Sequence, residues 1–445
     1  MKLQSIYQKT PVFIQNALLS LYGYRLQRQR FGRDFQVLLQ EAQGREFVGK
    51  RGIQVYQRQT WDLVIKPIVE QLPAYRDYNC DFDKLDTLPI LTKEQVRQQM
   101  QDFLHPHWKR LHPVKAHTSG STGAGFKFYT SQYAVQRQWA YWWRYRMAFD
   151  IPWGTWCGIF GGREIVPSNQ ATGPFWRVNR GGNTILFSQY HLSPENAIQY
   201  LQEIRERGLQ WLHGYPSLLA LISKFGIEAG LAGTLSVKWV TLGAENLLPQ
   251  QQALIQQMFG VEPLQHYGLA EGVANISLCP QGKMHVDEDF SLVDFIPEPG
   301  GGYRVIGTTL DNEVMPLVRY DTNDIVTLSE ESEPCRCGRS GRIVTSVDGR
   351  QEDLIVLSDD SRVGRLDHLF KDAVYVAEAQ ILQEKKGEAV FRIVKGQEYN
   401  DQCEEALRKE SYLRFGERLD IAFEYVQQIE KTKSGKLRFV LSHLD

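Results

Sequence analysis

The chain has 445 residues, of which 42% are hydrophobic and 23% charged, and its formal net charge is −1. This balance is typical of a folded chain with two or three domains and a large core, and it excludes a disordered one. With no general basic field, we expect neither nucleic acid nor an anionic membrane as the main partner.

The N-terminal region contains one mildly apolar patch, VFIQNALL, after Pro11, followed by a basic stretch from Arg25 to Arg33. The patch is too short and too interrupted for a signal peptide or a membrane span, so it predicts an amphipathic helix. The basic stretch is interpreted as the solvated end of this helix, with a weak membrane-surface or partner contact as the alternative. Six scattered cysteines do not form a disulfide framework, and we expect a cytoplasmic protein.

From about Gln54 to Ala148 the pattern is helical, with one break at LPILTKEQVRQ. In this break Thr92 is positioned to cap a helix, with Gln95 as the third helical residue. Further along, YAVQRQWAYWWRYRMAF predicts a long helix. Its tryptophans, Trp142 among them, are either core residues or the wall of a ligand cavity.

Short β-like runs alternate with helical ones from about Trp211 to Gly272, which predicts an α/β architecture with a largely parallel sheet. After Gly282 the chain becomes β-rich, and SLVDFIPEPGGGYRVIGTTL predicts a hairpin that turns at PEPGGG. The stretch from Ser346 to Asp353 has the composition of a short polar connector.

Beyond this connector the pattern predicts two strands around a turn in DLIVLSDDSRVGRL and a helix at LDHLFKDA. Strands in AEAQILQ and AVFRIVKG, a helix at DQCEEALRKESYLRFG and a strand in LDIAFEYVQQI follow. These elements suffice for an independent α+β unit. We therefore predict a large N-terminal α/β domain over residues 1–348, with parallel-rich sheets and a β-rich subdomain, and a small C-terminal α+β lid domain over residues 349–445.

The segment HTSGSTGAGFKF concentrates glycines, hydroxyl side chains and Lys127 in a short stretch. It is either a flexible surface loop or a phosphate-binding loop, in which backbone N–H groups and hydroxyls converge on an anion and the lysine adds positive charge. A kinase-type P-loop is disfavoured, because Phe126 stands where that motif requires lysine.

Part of this segment, TSGSTG, closely resembles the phosphate loop of the adenylate-forming superfamily of acyl-CoA ligases, adenylation domains and luciferases. Further stretches resemble that superfamily in the same order: LPILTKEQVR, GAE with YGLAEG, RYDTNDIV, GRQED and KTKSGKLR. Each match alone is weak, whereas the ordered set across residues 88–438 is specific. GYPS and the Cys-x-Cys-Gly-Arg stretch resemble the phenylacetate-CoA ligase branch, including the CapK-like proteins of polysaccharide gene clusters.

The resemblance implies ATP-dependent adenylation of a small carboxylic acid, with release of pyrophosphate, in a site that uses Mg²⁺. It assigns Lys436 to the reacting phosphate and carboxylate and Glu271 to Mg²⁺, a hard ion that prefers carboxylate and phosphate oxygens. The acid is expected against the GYPS region. The substrate candidates are His213, Gly214, Tyr215 and Trp142. The nucleotide candidates are Thr118, Ser119, Gly120, Ser121, Thr122, Gly123, Lys127, Gly243, Ala244, Glu245, Tyr267, Gly268, Asp324 and Arg350.

Two departures from the family pattern bear on mechanism. Asn323 stands where the ribose-binding motif usually has glycine, and asparagine tolerates the left-handed conformation that such a turn uses. At the hinge, Glu352 holds the usual aspartate position, and VLSDDSRVGRLDHLF lacks the glycine-rich loop of most relatives. The adenylation step is therefore better supported than transfer to CoA, the default acceptor of the family.

Three functions stay open. The first is an acid–CoA ligase. The second is an enzyme of polysaccharide or secondary-metabolite biosynthesis that transfers the adenylated acyl group to an amine or hydroxyl, or AMP itself to a non-CoA acceptor. The third is a non-catalytic homologue that binds a nucleotide or scaffolds partners. The last is disfavoured because Glu271, Asp324 and Lys436 are all present. The sequence identifies neither the acid nor the oligomeric state, which leaves a homodimer open.

Four further residues form a C-x5-H…C-x-C pattern: Cys279, His285, Cys335 and Cys337. Thiolates and an imidazole suit tetrahedral Zn²⁺, so we predict a structural zinc clip between two β-rich segments. The alternative is a set of reduced surface thiols.

Overall fold

The computed structural model describes residues 7–117, 127–245, 247, 249–298, 302–330, 334–349, 355–363, 366, 369, 376–395, 399–430 and 440–444. Within these residues the α-helices are α1 (Val12–Arg30), α2 (Phe35–Arg45), α3 (Gly49–Thr60), α4 (Lys66–Val69), α5 (Lys93–Gln98), α6 (Gln132–Met147), α7 (Pro194–Glu206), α8 (Pro216–Glu228), α9 (Pro249–Phe259) and α10 (Asp401–Phe415).

The β-strands of the described residues fall into two halves of the chain. The first half contains β1 (Pro113–His117), β2 (Lys127–Ser131), β3 (Cys157–Gly161), β4 (Trp176–Asn179), β5 (Thr184–Ser188), β6 (Trp211–Gly214), β7 (Trp239–Leu242), β8 (Pro263–Leu264), β9 (His266–Gly268) and β10 (Asn275–Leu278). The second contains β11 (Met284–Val286), β12 (Ser291–Pro297), β13 (Tyr303–Thr309), β14 (Tyr320–Leu328), β15 (Ile343–Gly349), β16 (Ile355–Val356), β17 (Arg362–Val363), β18 (Val376–Lys385), β19 (Glu388–Lys395), β20 (Asp420–Tyr425) and β21 (Val440–Ser442).

Two helices that border the site begin where the sequence predicts. Helix α5 starts at a capping box, in which the Thr92 hydroxyl accepts from the Gln95 N–H and the Gln95 side chain accepts from the Thr92 N–H. Helix α6 starts at Ser131, whose hydroxyl accepts from the Ala134 N–H at 3.0 Å. The predicted long aromatic helix is thus confirmed.

A six-stranded sheet has the order β4-β5-β3-β6-β7-β8, and all its pairings are parallel except β4 with β5. Helices α7, α8 and α9 lie between successive parallel strands in the chain. This is the predicted α/β architecture. Because these strands are parallel, the carboxyl ends of β3, β6 and β7 meet at one edge, where open α/β sheets bind ligands.

An antiparallel seven-stranded sheet has the order β12-β13-β14-β15-β11-β10-β9. The predicted hairpin is confirmed by the pairing of β12 with β13. The predicted polar connector starts too early, because Val347 and Gly349 of β15 pair with Val326 and Ile325 of β14. Strand pairing here satisfies the backbone of a segment whose polar composition suggested a loop.

The region predicted as helical also contains a hairpin, because β1 pairs with β2 over five residues. Both strands are too short and too exposed to give a clear alternation in the sequence. They lie directly before and after the predicted phosphate loop.

The C-terminal region forms a four-stranded sheet in the order β20-β19-β18-β21, together with α10. The predicted strands and the predicted helix at DQCEEALRKESYLRFG are confirmed. The predicted helix LDHLFKDA lies largely outside the described residues. Phe391 and Phe415 are fully buried in this unit. Among the described helices, none is both long and apolar enough to cross a membrane.

Candidate functional site

Part of the predicted nucleotide site cannot be placed. The loop residues Thr118, Ser119, Gly120, Ser121, Thr122 and Gly123, together with Arg350 and Lys436, lie outside the described residues. Lys127 is described: it begins β2 with an exposed side chain and pairs with His117 across the hairpin.

The GAE and GYPS motifs lie side by side at the carboxyl edge of the parallel sheet. Strands β6 and β7 pair so that Gly214 is opposite Leu242, and the Gly243 N–H donates to the Gly214 carbonyl at 3.3 Å. The Tyr215 N–H donates to the carbonyl of Phe160 at 3.1 Å. Predicted nucleotide and substrate residues therefore converge at this edge.

Ala244 has a φ of +73°, a left-handed conformation that is costly for a residue with a side chain. It is the second residue after β7, between Gly243 and Glu245. Strained backbone of this kind persists where the surroundings impose it, and it is concentrated at ligand-binding turns.

Two motifs that are more than fifty residues apart in sequence meet through a hydrogen bond. The Tyr267 hydroxyl donates to Asp324 Oδ2 at 2.8 Å. Burial, and then the nearby Asp324 charge, raise the pKa of Tyr267 well above its ordinary value, so the phenol stays a donor at neutral pH. Both side chains belong to the seven-stranded sheet.

Glu271 lies in the same region with 8% of its surface exposed, and it accepts a hydrogen bond from the Tyr320 hydroxyl at 3.2 Å. Tyr320 begins β14, the strand that carries Asp324. The segment before α5 is hydrogen-bonded to the start of β14. The Leu91 N–H donates to the Arg319 carbonyl, and the Asp321 N–H donates to the Leu91 carbonyl, both at 2.9 Å. Three predicted motifs therefore share one corner of the fold.

The departure at Asn323 is accommodated as predicted. Its φ is +60°, and its N–H donates to Asp321 Oδ1 at 2.8 Å. Asparagine thus supplies the left-handed turn that places Asp324 beside Tyr267.

A cluster of aromatic and imidazole side chains forms the wall between α6 and the two large sheets. The Trp142 indole N–H donates to Asn275 Oδ1 at 3.1 Å, and His266 Nε2 lies 2.8 Å from the same oxygen. Gly268 permits this arrangement, because a Cβ there would lie 2.8 Å from His266 Cε1. The predicted substrate residue Trp142 therefore contacts the segment that carries Tyr267.

His213 faces this wall from β6, with Nδ1 2.9 Å from Thr241 Oγ1. Burial, and then the positive charge of Arg146, lower the pKa of His213 to about 3. Burial likewise lowers the pKa of His266 to about 4. Both rings are neutral at physiological pH, so they offer hydrogen bonds rather than charge.

An ion-pair network behind this wall was not predicted from the sequence. Asp287 accepts from Arg144 and Arg339, each at 2.7 Å, and all three side chains are buried. Asn275 Nδ2 also donates to Asp287, so the network fixes the amide that holds Trp142 and His266. Two sequence features could have indicated this network: the arginines within the aromatic helix α6 and the acidic run VDED.

The four residues of the predicted metal site converge, with one potential ligand atom from each lying within 4.8 Å of the others. The Sγ atoms of Cys279 and Cys335 are 3.9 Å apart, and Cys337 Sγ is 3.4 Å from His285 Nε2. Three thiols and an imidazole are a donor set that fits tetrahedral Zn²⁺. The reading as scattered surface thiols does not account for this convergence.

Residues 355–443 match the family described as the CapK C-terminal domain. The chain is 23% identical to Protein CapK of Staphylococcus aureus, over 99% of this chain and 100% of that protein. It is 29% identical to the phenylacetate-coenzyme A ligase of Thermus thermophilus over 174 residues, which span 37% of this chain and 38% of the ligase.

Solved structures of similar fold include 2-hydroxyisobutyryl-CoA ligase in complex with 2-HIB-AMP and CoA in the thioesterification state. It has a TM-score of 0.58 and 15% identity, and the match covers 89% of this chain and 91% of that one. The same ligase in the postadenylation state with 2-HIB-AMP gives a TM-score of 0.53 at 15% identity, with the same coverage. At this identity the likeness concerns the fold.

Proposed function

Because the chain is a CapK-like member of the adenylate-forming superfamily, related to its phenylacetate-CoA ligase branch, we propose that it activates a carboxylic acid with ATP. In this reaction a carboxylate oxygen attacks the α-phosphorus of ATP, the bond to the β-phosphate oxygen breaks, and pyrophosphate leaves. In the second step the thiolate of CoA attacks the acyl carbon and AMP leaves.

The observation that supports this proposal most is the pairing of Tyr267 with Asp324 at 2.8 Å, beside Glu271. The arrangement gathers an aromatic face, an acceptor for ribose hydroxyls and a carboxylate in one corner of the fold. Those groups suit adenine, ribose and Mg²⁺, respectively. Glu271 would hold the magnesium ion, which supplies positive charge to the triphosphate when bound.

The remaining motif residues complete the proposed site from segments outside the described residues. The hydroxyls and backbone of Thr118–Gly123 would bind the β- and γ-phosphates, and Arg350 would contact the ribose region. Lys436 would bring its charge to the reacting phosphate and carboxylate from a lid domain that begins near Gly349. Electrostatic stabilisation of this kind commonly contributes most to such chemistry.

A second candidate function uses an amine or hydroxyl acceptor in place of CoA. It is favoured by the segment after the hinge, where β16 and β17 form a tight hairpin with Asp360 at φ +65° instead of a glycine-rich loop. We also propose that Cys279, His285, Cys335 and Cys337 hold a structural zinc ion that joins the turn after β10 to the segment before β15.

Pyrophosphate release from ATP, measured across aryl, short-chain and sugar-derived acids with and without CoA, tests the reaction. We expect release with one class of acid. Acceleration by CoA would identify the thiol as the acceptor, and indifference to CoA would favour the second candidate.

Lys436→Ala tests the assignment of the lysine. We expect it to abolish pyrophosphate release while ATP binding stays nearly intact, because the charge acts on the reacting groups. Lys433→Ala, in the same segment, is the matched control and should retain activity. Turnover that survives Lys436→Ala would contradict the assignment.

A further inference from the structure

Helix α6 contains three buried arginines, and two of them are paired. Arg137 lies 3.0 Å from Asp311, and Arg144 lies 2.7 Å from Asp287. Arg146 is also buried, with 8% of its surface exposed. Among the described residues, however, its guanidinium forms no ion pair and its Nε has no hydrogen-bond partner.

The surroundings of Arg146 are aromatic rather than acidic. Its guanidinium carbon is 5.5, 5.3 and 5.1 Å from the ring centroids of Trp139, Trp143 and Trp211. Indole faces attract the charge, but they do not satisfy the five N–H donors of a guanidinium. Burial lowers the pKa of Arg146 to about 10, so it is still a cation at neutral pH.

Two further donors on the same turn of α6 lack acceptors. In the described part of the chain, Trp143 Nε1 and Tyr145 Oη are buried without hydrogen-bond partners. A buried donor without an acceptor is costly, so three of them within four residues are unfavourable unless a ligand supplies acceptors. An anion is the ligand that satisfies a cation and neutral donors together.

Positive charge also accumulates nearby without a described counter-ion. The Arg30 guanidinium lies 4.2 Å from the centroid of Trp139, the same indole that Arg146 faces. Burial, and then the charge of Arg163, lower the pKa of Arg30 to about 10. No carboxylate among the described residues pairs with Arg30. The local charge therefore favours an incoming anion.

The position of Arg146 fits the far end of the proposed acid site. Trp211 and His213 lie on the same face of β6, two residues and roughly 7 Å apart. Arg146 contacts Trp211, whereas His213 lies toward the carboxyl end of the strand, next to Gly243. An acid whose reacting carboxylate is near Gly243 and Tyr267, and which extends along β6, would point its other end at Arg146.

We propose that Arg146, supported by Trp143 and Tyr145, binds a second anionic group of the acid. The substrate class is then a carboxylic acid that carries a second carboxylate or a phosphate ester. The role of this ligand as a substrate rests on the proposed adenylation. Its binding at Arg146 does not depend on that reaction.

The test is the affinity of the full-length protein for valerate, glutarate and 3-phosphoglycerate, measured by calorimetry at constant ionic strength. Valerate and glutarate have the same five-carbon chain and differ in the second carboxylate, and 3-phosphoglycerate carries a phosphate ester, with a 2-hydroxyl, at the end opposite its carboxylate. We expect either glutarate or 3-phosphoglycerate to bind roughly 30-fold or more tightly than valerate, as for a buried charge pair. The preferred dianion distinguishes carboxylate from phosphate.

Arg146→Met should abolish this preference, because it keeps an apolar stem between the indoles and removes the charge. Arg146→Lys is a second variant, which keeps the charge but lacks the planar guanidinium. Its preference for the second anionic group should remain but be about tenfold smaller than in the wild type. Arg110→Met, which removes an exposed arginine elsewhere, is the control for net charge. Affinities of all three ligands within threefold in the wild type, or a preference that survives Arg146→Met, would overturn the proposal.

Adding ATP to the same samples separates this proposal from the proposed function. Selective dianion binding without pyrophosphate release would overturn adenylation and leave the role of Arg146 standing. Pyrophosphate release that is equal with valerate, glutarate and 3-phosphoglycerate would support adenylation and overturn the role of Arg146.

Discussion

Asp287→Asn perturbs the centre of the buried ion-pair network. The Asp287 side chain accepts from Arg144 and Arg339 at 2.7 Å each and from the Ser277 hydroxyl at 2.9 Å, with 3% of its surface exposed. The two arginines, with Asn275, hold the pKa of Asp287 below its usual range despite burial. The substitution keeps the shape, removes the charge and turns an amide N–H₂ toward groups that are themselves donors.

Breaking a buried ion pair costs roughly 3–5 kcal/mol of unfolding free energy. Each arginine keeps another carboxylate partner, because Arg144 lies 2.9 Å from Asp289 and Arg339 lies 2.7 Å from Glu46. We therefore expect Asp287→Asn to lower the free energy of unfolding by about 3 kcal/mol, the lower end of this range. That loss is a large part of the 5–15 kcal/mol typical of folded domains.

The assay is urea unfolding followed by tryptophan fluorescence, with the shift in midpoint converted through the common slope. Asp83→Asn is the matched control, because it breaks an Arg–Asp pair with Arg58 whose carboxylate side chain is 70% exposed. That pair should contribute little, because water and salt screen an exposed ion pair. If the two variants lose the same stability to within about 1 kcal/mol, the reasoning from burial is refuted.

Three further outcomes are expected. Burial lowers the pKa of His213 to about 3 and of His266 to about 4, so the unfolded chain binds more protons below pH 6.5. The urea midpoint should therefore fall as pH decreases from about 6.5 to about 4, less steeply in His213→Gln; a constant midpoint would contradict this. Gly268→Ala should impair acid activation, because its Cβ would lie 2.8 Å from His266 Cε1, and unchanged pyrophosphate release would show that the wall can shift. Purified protein should contain roughly one zinc ion per chain, lost in Cys337→Ser and kept in Cys403→Ser; equal metal content in both would exclude the cluster.

Features set by neighbours along the chain could be predicted from the sequence. The capping box at Thr92, the hairpin from β12 to β13 and the left-handed turn at Asn323 each depend on a few adjacent residues. The cysteine and histidine cluster could also be predicted, because its ligand chemistry restricts which residues can meet.

Features that depend on pairing between residues far apart in the chain could not be predicted from the sequence. Arg144 and Asp287 are 143 residues apart, and nothing near either residue in sequence identifies its partner. Likewise, residues 346–349 have loop-like composition and become a strand because β14 offers them backbone partners. The unpaired state of Arg146 is visible only once Arg137 and Arg144, which precede it in α6, have been matched to their carboxylates.

The contrast among the arginines of α6 has a consequence for how this protein can diverge. Arg137 and Arg144 are tied to distant aspartates, so replacing either requires a compensating change elsewhere. Arg146 has no such partner among the described residues, and position 146 can therefore change in a single step. A single helix thus combines constrained positions with one that can change independently. A library limited to residue 146 would explore ligand preference without disturbing the buried ion pairs of Arg137 and Arg144.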